Sequence, residues 1–125
     1  MQRIKAALTC TLLLCAFNML QAQTTEKKIA VPDSTKKILT VETSCGQCQF
    51  GMKDKKGCDL AVRIDGKAYF VDGTKIDDHG DAHASDGFCE AIRKAEVQGE
   101  IVNNRFKATY FKLVKNSPPK KEGNN

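Results

Sequence analysis

What the chain lacks narrows it quickly. It has no tryptophan, two tyrosines and two histidines. No internal repeat is evident, which argues against a solenoid. No apolar stretch is suited to a spanning helix. The run from Ala6 to Leu20 leads into a polar segment and falls short of the roughly 20 residues a bilayer crossing needs. The central region also lacks a basic face. Between Ile38 and Val114 the sequence holds 11 Lys and Arg against 12 Asp and Glu. The surplus behind the formal charge of +5 lies in the flanks, at Lys27, Lys28, Lys36, Lys37, Lys115, Lys120 and Lys121. A nucleic-acid binder carries its positive charge on the folded face, so no nucleic-acid partner is expected.

The first residues read as a targeting segment. Arg3 and Lys5 precede the apolar run, and Leu20-Gln21-Ala22 ends on a small residue suited to signal peptidase. The expected signal peptide is 1–22, which places the mature chain in the periplasm or outside the cell, with no membrane anchor after cleavage. Leu14 precedes Cys15 where a lipidation site needs Gly, Ala or Ser. Cys10 and Cys15 leave with this segment, so four cysteines remain. The mature chain of about 100 residues suffices for one small domain.

Residues 23–37 are polar, contain Pro32 and show no apolar period, as in a linker. Residues 115–125, with Pro118-Pro119 and several lysines, read as a disordered tail. The domain is expected over 38–114. Ile38 to Thr43 is rich in β-branched residues and reads as a first strand, β1. Ser44 to Gly57 reads as a loop. Leu60, Val62 and Ile64 alternate as β2, Asp65-Gly66 is a tight-hairpin signal, and Lys67 to Val71 returns as β3. After an acidic loop, Phe88, Ala91, Ile92 and Ala95 fall at helical spacing behind a capping Ser85 or Asp86. Val97, Gly99 and Ile101 alternate as β4. Asn103-Asn104 suits a hairpin turn, and Phe106, Ala108 and Tyr110 alternate as β5 before the pattern slips to Phe111 and Leu113, as at a bulge. The order β1-β2-β3-α-β4-β5 predicts a mainly β fold with one helix, a five-stranded OB-like Greek-key barrel. That fold by itself assigns no function.

The chemistry lies in Cys45-x2-Cys48-x9-Cys58, His79-x3-His83 and Cys89. If β1 ends at Cys45, β2 begins near Cys58 and β3 runs back toward the histidine loop, these blocks share one end of the barrel. Cysteine and histidine there form the donor set of a tetrahedral site, with Cys45, Cys48, Cys58, His79 and His83 as candidate ligands for Zn or Cu. Met52 adds a thioether that favours Cu(I), and Asp77, Asp78 and Asp81 are available to orient the imidazoles. An EF-hand does not fit, because Ala82 stands where its glycine belongs.

The competing reading is a disulfide framework among Cys45, Cys48, Cys58 and Cys89, the default in an oxidising compartment. In that case the domain is a stapled module that binds a protein or small ligand. A thiol–disulfide redox role through Cys45 and Cys48 is a third reading. It requires the CxxC to open a helix, which the loop assignment does not supply. Gln49 excludes the CxxCH of haem attachment. A Cys89 nucleophile with a histidine base lacks any sign of an oxyanion hole. Tyr69, Phe70, Phe106, Tyr110 and Phe111 read as core rather than as a base-stacking surface.

The blocks Ser44-Cys45-Gly46-Gln47-Cys48-Gln49-Phe50-Gly51-Met52, Gly57-Cys58-Asp59-Leu60-Ala61-Val62, Tyr69-Phe70-Val71-Asp72-Gly73-Thr74 and Asp77-Asp78-His79-Gly80-Asp81-Ala82-His83-Ala84 resemble a family of small exported bacterial proteins of unknown function. The likeness runs from about Val41 to Val114 and implies that the four blocks act as one unit. It implies no activity and no catalytic residue. The expectation is therefore an exported, monomeric, non-enzymatic binding domain with its Cys/His end as the site.

Overall fold

The computed structural model describes residues 29–115 and 118–121. The expected signal segment 1–22 and the first part of the expected linker lie outside the described residues. The elements in chain order are β1 (Leu39–Cys45), α1 (Gly46–Gln49), β2 (Leu60–Ile64), β3 (Lys67–Asp72), a 3-10 turn (Ile76–His79), β4 (Arg93–Val102) and β5 (Arg105–Leu113). Among the described residues no helix is long and apolar enough to cross a membrane.

The five strands close a barrel in the order β1-β2-β3-β5-β4. All neighbours are antiparallel except β3 and β5, which pair in parallel at Val71–Phe106 and Asp72–Lys107. This is the mixed five-stranded closure of an OB-like fold. Both predicted hairpins form. Asp65 and Gly66 sit at φ 50° and 81°, Asn103 and Asn104 at 52° and 58°, as a type I′ turn requires of its two central residues. The slip in β5 is a bulge. Gln98 pairs with Tyr110 and Gly99 with Ala108, so Thr109 is the extra residue.

The inward face supplies the core: Val41, Leu60, Val62, Val71, Ala95, Val97, Phe106, Ala108 and Phe111. The outer face of β2 and β3 is covered as well. Ala61 and Phe70 pair across these strands and are buried, with α1 packed against both strands. A methyl group on Gly46 would sit 2.7 Å from Phe70 and 2.8 Å from the Met52 sulfur, so glycine is what lets α1 lie this close.

The helix expected over Ser85 to Ala95 does not form, and the one α-helix among the described residues is α1 instead. Phe88, Ala91, Ile92 and Ala95 are buried as their spacing implied, but by irregular turns and then by β4. Two constraints override the helical period. The free edge of β1 takes Arg93–Val97 as its partner, which closes the barrel. Gly87 is pressed against the carbonyls of Asp81 and Ala82, the latter 2.5 Å from where a Cβ would stand. Between β3 and β4 the helical slot holds only the 3-10 turn, capped by Asp78, whose carboxylate accepts from the Lys75 N–H at 2.8 Å.

Two flanking pieces touch the barrel. Gln98 is fully buried in β4, and its amide clamps the chain at 33–36. Asp33 N–H donates to Oε1 at 2.7 Å, and Nε2 donates to the carbonyls of Asp33 and Lys36 at 2.8 Å each. Beyond β5, Lys120 exchanges both backbone hydrogen bonds with Ile92.

Candidate metal centre

The four cysteines gather at one end of the barrel, their sulfurs all within 4.8 Å of one another. None is bonded to another. Cys58 Sγ is the hub, 2.8 Å from Cys45 Sγ and 2.6 Å from Cys89 Sγ.

Each sulfur arrives from a different element. Cys45 is the last residue of β1, paired with Leu60 of β2. Cys48 lies on α1, one turn along, with its backbone N–H directed at Cys45 Sγ at 3.4 Å. Cys58 ends the connection into β2. Cys89 lies on the turn before β4. That turn is fastened by Ser44, whose Oγ sits 2.6 Å from Phe88 O and 2.8 Å from Ala91 O, and by the Cys45 N–H, which donates to Phe88 O at 3.0 Å.

Two glutamines hold the cysteine loops together. Gln47 donates to Asp59 Oδ2 at 2.7 Å and accepts from the Asp59 N–H at 2.9 Å, and Lys55 pairs with the other carboxylate oxygen at 2.8 Å. Gln49 donates to the Cys89 carbonyl at 2.9 Å. Both glutamines and Ser44 escaped the sequence reading, and Cys89 entered it as a disulfide candidate and not as a metal ligand. The signal was the polar spacer of the Cys-Gly-Gln-Cys-Gln block, where alternate glutamines flank a cysteine.

The sulfurs are electrostatically unequal. Burial opposes ionisation of Cys45, yet hydrogen bonds from Cys58 and Cys48 prevail and bring its thiol below the ordinary value. Burial pushes Cys48 up to about 12, reinforced by Cys45 and Cys89. Burial also pushes Cys58 up, with Cys45 and Cys89 adding to it. Cys45 is thus the one sulfur of the three poised to carry charge, and it is fully buried, whereas Cys48 is exposed.

The histidines stand apart from this cluster. His79 Nε2 lies 2.9 Å from Thr74 Oγ1, and that hydroxyl donates its single proton to Asp78 Oδ2 at 3.1 Å. The imidazole must then donate from Nε2. Its ring packs 4.6 Å from the Phe111 centroid and edge-on to Phe88. His83 is exposed, its backbone N–H on Asp81 Oδ1 at 2.9 Å. Of the residues singled out in the sequence, the fold brings together Cys45, Cys48, Cys58 and Cys89, and not His79 or His83. Met52 packs near Gly46 over the outer sheet face.

The CxxC does open a helix, contrary to the loop expected there: Cys45 is the N-cap of α1. The donor set can hold an ion. In a tetrahedral thiolate centre with bonds near 2.3 Å, the sulfur–sulfur edges are about 3.8 Å. All four sulfurs lie within 4.8 Å of one another, and the two Cys58 pairs, at 2.8 and 2.6 Å, are shorter than that edge, so Cys58 would draw back from Cys45 and Cys89 to admit an ion.

A family model described as "Family of unknown function (DUF6370)" matches residues 39–114. No curated protein and no solved structure matches the chain.

Proposed function

The chain belongs to the family of unknown function DUF6370, and for this member we propose a non-enzymatic metal-binding role, with one transition-metal ion held by the thiolates of Cys45, Cys48, Cys58 and Cys89. The observation that carries it is the single knot of four sulfurs. Two structural disulfides require two separate pairs. A tetrahedral ion requires four donors around one point. An all-thiolate set is soft and selects Zn or Cu(I) over Mg, Ca or Mn. Binding would expel the protons held on Cys48 and Cys58, so affinity falls as pH falls.

Export to the periplasm or beyond is part of this proposal, supported by Arg3, Lys5 and the apolar run before Ala22. That compartment keeps a second reading in view, a disulfide-closed binding module. The 2.8 Å and 2.6 Å approaches of Cys58 to its neighbours favour it. A thiol–disulfide catalyst is less well supported. Such an enzyme attacks with an exposed, low-pKa thiol. Here the exposed Cys48 is pushed up to about 12, and the sulfur with the lowered value is buried.

Titration of the reduced, metal-free protein with Co(II) tests the proposal. Intense visible bands and sulfur-to-cobalt charge-transfer absorption should saturate at about one equivalent and vanish on adding zinc. Absence of these bands, or bands of unchanged intensity and affinity in Cys58→Ser, contradicts it.

A further inference from the structure

The four sulfurs are not equally committed to the fold. Cys45 is fully buried at the end of β1, with its backbone N–H on Phe88 O. Cys89 is buried, its N–H donating to Ala82 O at 2.8 Å and its carbonyl accepting from Gln49. Cys58 is half-buried between Gly57 and an Asp59 fixed on both its N–H and its carboxylate. Cys48 is the most exposed of the four residues, although its sulfur faces Cys45 and Cys89. It rides on the four-residue α1, and its N–H is directed at Cys45 Sγ.

We infer that Cys48 is the exchangeable ligand, the one through which a thiol-bearing acceptor withdraws the ion, while Cys45, Cys58 and Cys89 form the retained cup. This rests on the metal-binding reading above. In the exchange the metal–sulfur bond to Cys48 breaks and one to the acceptor sulfur forms. The acceptor's thiol proton passes to Cys48, and no atom changes oxidation state. The acceptor's chemistry is that of a cysteine thiol on a partner protein or a small thiol, because the leaving and entering donors must be alike in softness. Cys58 is the rival point of entry, since it lines a cavity of about 270 Å³ beside Thr74, Lys75 and Asp77.

The test is limited alkylation of the metal-loaded full protein with iodoacetamide. It is read by native intact mass and by peptide mapping, with elemental analysis of the untreated sample. The expected result is a first product carrying one alkyl group, on Cys48, with the metal retained. Cys48→Ser should bind the ion less tightly and surrender it to dithiothreitol faster than the unmodified protein does. First alkylation at Cys58 or Cys89, or modification of all four only as metal departs, would overturn the inference and leave the metal site standing. An untreated protein without stoichiometric metal would overturn the metal-binding reading, and this inference with it.

Discussion

Cys58 and Cys89 lie 31 residues apart in the chain, and their sulfurs stand 2.6 Å apart in the fold. No local preference brings them together. The connection into β2 supplies one, and the turn fastened by Ser44 supplies the other. The site is therefore a property of barrel closure.

Removal of the hub sulfur should abolish the centre. Cys58→Ser and Cys89→Ser are each expected to reduce bound metal well below one equivalent by elemental analysis. His79→Gln and His83→Gln should leave it unchanged, since His79 is engaged by Thr74 and His83 is exposed. Metal loss in either histidine variant, with the fold intact by circular dichroism, would return the imidazoles to the ligand set.

Gln98 should be worth more than a surface glutamine. Its buried amide makes three hydrogen bonds to the backbone at 33–36. Gln98→Ala leaves those groups to water or unpaired, at a cost of about 1–3 kcal/mol. Urea unfolding measures it. A change within error would mean that the clamped segment adds nothing to stability.

Gly87→Ala should destabilise the chain although it removes no contact. The added methyl would press on the carbonyls of Asp81 and Ala82, which are backbone and cannot rotate away. Overpacking of this kind costs about 1–3 kcal/mol. Gly87 also sets the turn that carries Cys89, since Ala91 N–H donates to Gly87 O at 2.9 Å. The variant is therefore expected to bind metal more weakly as well, by competition with a chromogenic chelator.

His79 should make the fold acid-sensitive. Burial against Phe88 and Phe111 holds its imidazole below the ordinary 6.5, with Asp78 opposing only in part. The unfolded chain then takes up the proton at a higher pH than the folded one. Stability is complete above the ordinary value and is lost as pH falls through it toward the folded value. Comparing urea midpoints at about pH 7.5 and about pH 5, the wild type should lose more than His79→Gln. Equal losses would remove His79 from the account.

The sequence made the barrel legible because its evidence is local. Asp65-Gly66 and Asn103-Asn104 demand their turns, and alternation marks the strands between them. Strand direction then brought the cysteine loops to one end. The segment after the acidic loop was not legible, because Phe88, Ala91, Ile92 and Ala95 satisfy a helical period while β1 claims the same stretch across the barrel. Nothing near Cys89 announces that Ser44 will seize its turn. Nor does the His79-x3-His83 spacing reveal that one ring enters an aromatic contact with Phe111 and the other stays in solvent.

The most direct measurement is native and denatured intact mass, with a free-thiol count and elemental analysis, on protein purified without reductant or chelator. The account predicts about one equivalent of zinc or copper and four thiols that titrate once a chelator removes it. A metal-free protein about 4 Da lighter than its reduced form, one hydrogen lost per bridged sulfur, would contradict it.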